Sequence, residues 1–129
     1  MNKLAKTSLP EFQERFCFFH DALIKRMSFS YDKKEFRIVI ETQDYEASVQ
    51  PCWCHMTLVI SGCFSMKTIQ GNAAWDVLST GVHIIFENEH VGLEFGDFVD
   101  TPESMVELET SPFHVAGKSL SWSLTDEEK

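Results

Sequence analysis

From Ala22 onward the apolar residues of this chain recur at every second position, and that period restricts the fold more than any other feature. In "EFRIVIET", Phe36, Ile38 and Ile40 alternate with charged or exposed positions. Successive side chains of a strand leave opposite faces, so this alternation describes a strand with one buried and one solvated face. "ALIKRMSFSY" carries the same signal, with Leu23, Met27, Phe29 and Tyr31 on one face, and "YDKK" supplies the turn between the two strands. "HMTLVISGCFSM" predicts a third strand with a bulge or bend at Gly62. "GVHIIFE", "HVGLEFGDFV", "SMVELET" and "FHVAGKSLSWSL" predict four more. "NAAWDVL" reads as one or two helical turns, with Asn72 as the cap and Gly81 as the stop.

The N-terminal segment follows a different period. Ser8 and Glu11 stand at capping-box spacing, and Pro10 falls in the first turn, where a missing N–H does no harm. Phe12, Phe16 and Phe19 follow at i, i+4 and i+7, so "SLPEFQERFCFF" predicts a short helix with an aromatic stripe. A helix this short needs a sheet to pack on. The expected fold class is therefore mainly β with a minor α part: an antiparallel sandwich or strongly curled sheet of about seven strands, with one short N-terminal helix. Eleven Phe, three Trp and two Tyr among 129 residues suffice for one core. A single domain over 1–129 is expected, with 1–6 and 125–129 frayed.

Neither a signal peptide nor an apolar run near the roughly 20 residues of a bilayer span is visible, so a cytoplasmic chain is expected. In that compartment Cys17, Cys52, Cys54 and Cys63 are expected as free thiols, packed as small hydrophobes.

Two constellations invite a catalytic reading. "PCWCH" offers Cys52, Cys54 and His55 as zinc ligands, but strand parity sends the two thiols to one face and His55 to the other. Thiols and Trp53 packed at a strand start are the simpler reading. His20 and Asp21 are adjacent, and neighbouring side chains of an extended chain diverge, so they are expected to satisfy loose backbone groups at the corner between helix and strand. There is no phosphate-binding loop, dinucleotide fingerprint or nucleophile elbow. No catalytic residue, metal or cofactor is expected.

The charge is unevenly placed. Glu87, Glu89, Glu94, Asp97, Asp100, Glu103, Glu107 and Glu109 fall in one stretch, and no Lys or Arg occurs between Lys67 and Lys118. With Asp76, that stretch accounts for the whole net charge of −9, because the rest of the chain has eleven acids against eleven Lys and Arg. Phosphates would be repelled, which argues against nucleic acid as a direct partner. The spacing of Asp97, Asp100 and Glu103 is not that of a calcium loop. Parity places Glu94, Glu107 and Glu109 on solvated strand faces, and Glu87, Glu89, Asp100 and Glu103 at strand ends and turns. Asp97 shares the parity of Leu93 and Phe95, so either a bulge at Gly96 turns it outward or it has a buried partner. Two carboxylates about 8 Å apart in water repel by only about half a kcal/mol, so an exposed face tolerates several such pairs. Those eight acids are the expected partner-binding residues, with Phe98 as an aromatic anchor.

The string "FFHDALIKRMSFSYDKKEFRIVIE", with His20, Asp21 and Ala22 leading into an alternating strand, resembles the start of small mostly-β bacterial families that include immunity proteins of polymorphic toxin systems. "MTLVISGC", "VGLEF" and "KSLSW", the last with Trp122, resemble their later strands. The resemblance implies a non-catalytic protein that binds and neutralises a cognate toxin domain, without membrane attachment. If that toxin acts on nucleic acid, its cleft is basic, and an acidic surface would occupy it by mimicking phosphates. Two alternatives stay open: a small-molecule-binding β-barrel-like protein, and a metal-dependent enzyme using Cys52, Cys54 and His55.

Overall fold

The computed structural model describes residues 1–46, 52–68, 77–78, 80–95 and 100–125. Two antiparallel sheets share one apolar core. The larger is built from β1 (Asn2–Lys3), β2 (Ala22–Ser30), β3 (Glu35–Asp44), β4 (Cys52–Ser61), β6 (Val77–Leu78) and β10 (Ser119–Thr125), in the spatial order β1-β10-β4-β3-β2-β6. The smaller contains β5 (Ser65–Lys67), β7 (His83–Glu87), β8 (His90–Glu94) and β9 (His114–Gly117), in the order β5-β9-β8-β7. Helix α1 (Leu9–Arg15) lies between β1 and β2, and a single-turn helix α2 (Met105–Leu108) lies between β8 and β9. The mainly-β expectation holds, and among the described residues the strands of four residues or more number seven.

Parity explains the core. Ile40, Ile38 and Phe36 of β3 stand opposite Met56, Leu58 and Ile60 of β4, and all six are buried. They meet Ile84, Val91, Leu93 and Val115 from the smaller sheet in one cluster. Cys54 packs against that cluster, while His55 leaves the other face and pairs with Glu41 at 3.5 Å, as the alternation in "CWCH" requires. Cys17, Cys54 and Cys63 are free thiols, although Cys17 is exposed rather than packed.

Several local expectations are corrected. Ser8 does not cap α1: a 3-10 turn at Lys6–Ser8 runs straight into the helix, and the Ser8 hydroxyl bonds back to Ala5. The helix stops at Arg15, yet Phe12, Phe16 and Phe19 still gather, with ring centroids 5.3–5.7 Å apart. A bulge between Ile24 and Arg26 moves Leu23 off the face of Met27 and Phe29, since one extra residue reverses parity. Tyr31 also fails to reach the core and stands 75% exposed in the turn. Val77 and Leu78 pair with β2 as a strand instead of ending a helix, and the rest of "NAAWD" lies outside the described residues. Residues 2–4 are docked rather than frayed, because β1 pairs with β10 and Leu4 is buried. Trp53 is 53% exposed, not packed.

Two of the passages between sheets are tight corners. β4 gives way to β5 across Gly62, and the predicted single strand "FHVAGKSLSWSL" is two strands, β9 and β10, separated by Lys118. A Cβ on Gly117 would lie 2.4 Å from Ile60 and 2.8 Å from the Ser61 carbonyl, so the corners touch and only glycine fits there.

Arg15 fastens α1 to the larger sheet. Its Nε and Nη2 donate to the two carboxylate oxygens of Asp44 at 2.9 and 2.8 Å, and its guanidinium lies over Phe16 and Trp122. The bonds to Asp44 raise the arginine pKa further, so the arginine stays charged at every accessible pH. Asp44's side chain is only 4% exposed, and without Arg15 it would be left as a buried charge. Arg15→Met should therefore cost about 3 kcal/mol in chemical denaturation, whereas Arg37→Met, which removes an exposed partner of Glu35, should cost less than about 1 kcal/mol.

Candidate functional site

The acidic stretch folds as a cover over the outer face of the smaller sheet. Its core contact is apolar: Met105 and Leu108 of α2 pack on Ala116 and Ile85. A Cβ on Gly92 would lie 2.7 Å from Leu108, so the bare backbone of β8 makes room for the helix. "SMVELET" was expected as a strand, and the helical turn is a correction. Ser104 caps it, with its hydroxyl accepting from the Glu107 N–H at 3.1 Å. Ser104 and Glu107 stand at capping-box spacing, a signal outweighed in the sequence by the apolar alternation of Val106 and Leu108.

Polar ties hold both ends of this cover. Thr101 Oγ1 lies 3.1 Å from His83 Nδ1 on β7, and the Met105 N–H donates to Glu87 Oε1 at 3.0 Å. Glu87 is thus half-buried and serves the helix N-terminus. At the far end Ser111 Oγ donates to Glu94 Oε2 at 2.9 Å. His114 Nδ1 lies 2.8 Å from the Ser111 carbonyl, and its Nε2 lies 3.0 Å from Ser65 Oγ.

Glu94 is the main departure from the sequence reading. It leaves the sheet on the outward face, as parity requires, but it is 0% exposed because the cover closes over it. In the register of the smaller sheet it stands between His83 and His114, and its Oε1 lies 3.9 Å from His83 Nε2. It belongs to the fold and is removed from the binding face. Alternation reveals which face a residue takes, not what later covers that face. His83, Ser111, His114 and Ser65 were missed for the same reason, since only the tertiary fold brings them together.

Glu89, Asp100, Glu103, Glu107 and Glu109 are exposed. The bond from the Met105 N–H to Glu87 holds the start of α2 at the end of β7, while Glu103, Glu107 and Glu109 stand on or next to that helix in the chain. Val106 is 75% exposed in their midst. One lysine, Lys67, shares the outer face of the smaller sheet, on edge strand β5. Asp97 and Phe98 lie outside the described residues. His20 and Asp21 are exposed, and the corner is closed by backbone groups instead of their side chains: Asp21 N–H donates to Leu78 and His20 N–H to Cys17.

Among the described residues no three His, Cys, Asp or Glu side chains converge in a metal-holding arrangement. Surface grooves beside α1 of about 340 and 370 Å³ share Glu11, Arg15 and Glu46. Among the described residues no helix is long and apolar enough to cross a membrane. Comparison with protein-family models, with curated proteins and with solved structures finds no match to the chain.

The cover divides the acids into two kinds, and stability measurements will separate them. Glu94→Ala leaves Ser111 and the flanking histidines without their carboxylate and should cost about 2–3 kcal/mol in urea unfolding. Glu109→Gln removes an exposed charge and should change stability by less than about 0.5 kcal/mol.

Proposed function

We propose that this chain is a protein-binding module of the immunity-protein kind, acting in the cytoplasm, whose acidic cover docks on a basic toxin domain. The observation that carries this reading is the gathering of Glu89, Asp100, Glu103, Glu107 and Glu109, all exposed, in a stretch of chain that supplies no Lys or Arg. Such a face raises the encounter rate with a cationic surface, and docking relieves repulsion among its own charges. Val106 supplies an apolar contact within the acidic rim, the arrangement in which a small buried anchor is most effective. The ties to His83, Glu87 and Glu94 support the reading further, because a pre-ordered cover loses little conformational entropy on binding. A nuclease toxin would present the required basic cleft. A cofactor has no role in this reading.

The test is co-purification with the product of the neighbouring upstream gene, followed by binding measurements across a salt series. The native chain should bind with an affinity that falls as salt rises. Reversing Glu103, Glu107 and Glu109 to Lys should weaken binding by at least about 100-fold and flatten the salt dependence. Unchanged binding in that triple variant, with its fold intact by circular dichroism, would remove the acidic face from the interface.

A further inference from the structure

We propose that Ser65, His114 and Lys67 form a hydrolytic site for small carboxylic esters at the open edge of the smaller sheet, an activity separate from partner binding. The His114 ring is buried and held at both nitrogens. Nδ1 lies 2.8 Å from the Ser111 carbonyl oxygen, and a carbonyl only accepts, so Nδ1 carries the proton of the neutral ring. Nε2 then presents a lone pair, and the Ser65 hydroxyl 3.0 Å away donates to it. This is the tautomer in which an imidazole takes a proton from a hydroxyl nucleophile.

The surroundings favour that transfer. Glu94 stands directly across from His114 in the β8–β9 register and is tied to it through Ser111, whose hydroxyl donates to Glu94 while its carbonyl accepts from His114. A buried carboxylate beside the ring stabilises the imidazolium formed when Ser65 gives up its proton. Ser65 is half-buried on β5, the terminal strand of the smaller sheet among the described residues. Lys67, two residues on, leaves the sheet on the same face, is exposed, and stands opposite His114. Its positive charge on that face would attract an anionic ester.

In the acylation step Ser65 Oγ bonds to the ester carbon, the carbonyl electron pair moves to oxygen, and the Ser65 proton passes to His114 Nε2. The oxyanion collapses, the C–O bond to the alcohol breaks, and the leaving alkoxide takes the proton from Nε2. Water then gives one proton to Nε2 and bonds to the acyl carbon, and Ser65 Oγ departs and recovers that proton. Ester and water become acid and alcohol.

A fluorophosphonate probe, followed by peptide mass spectrometry, tests the site. The expected result is one phosphonyl adduct, on Ser65, that is lost in Ser65→Ala. His114→Gln should slow labelling about 100-fold, and Lys67→Gln should slow it about tenfold. No adduct on the native chain, an adduct elsewhere, or an undiminished rate in a folded His114→Gln variant overturns the proposal. If His114→Gln fails to fold, Ser65→Cys decides. Iodoacetamide alkylation of the new thiol at least tenfold faster than that of exposed Cys17 supports the pair, and an equal or slower rate overturns it.

Discussion

The inward row of β4, Met56, Leu58 and Ile60, is the constraint on which the rest of the structure depends. These side chains are fully buried, and β4 is hydrogen-bonded on one side to β3 and on the other to β10. Removing such a side chain from water is worth roughly 1.5–3 kcal/mol. The row also forms the floor on which Leu93 and Val115 of the smaller sheet rest, so both sheets close on the same three residues. Phe12 of α1 joins this core together with Phe16 and Phe19, which follow the helix, and Arg15 locks the helix at the rim.

Much of this was legible in the sequence because burial in a two-layer β fold is written in parity. Phe36, Ile38, Ile40, Met56, Leu58 and Ile60 are core residues by alternation alone. Parity is lost wherever the count slips by one, as it does at the Ile24–Arg26 bulge. It also misleads in short amphipathic segments, where a helical turn such as Met105–Leu108 and a strand share much the same apolar positions. The site was harder to read than the fold. Glu94 was placed on its correct face, but its burial comes from a segment that folds back over that face, and no local pattern encodes such a contact.

The acidic cover therefore has two sides with different chemistry. Its underside joins carboxylate, hydroxyl and imidazole in a network around buried Glu94, Ser111 and His114, while its upper side presents carboxylates to water.

The touching corners at Ser61–Gly62 and Gly117–Lys118 carry a consequence for cooperativity. β4 continues into β5 and β9 into β10, while β4 pairs with β10 and β5 with β9. The four strands are thus one antiparallel ribbon folded across both sheets. Neither sheet can open without unzipping part of the other, so slowly exchanging amides in both should report a single opening free energy. The ribbon's partners, such as Ser61 and Ser119, are far apart in sequence, so a large loop must close before it can form. Folding of this chain should therefore be slow and all-or-none, with the two sheets appearing together.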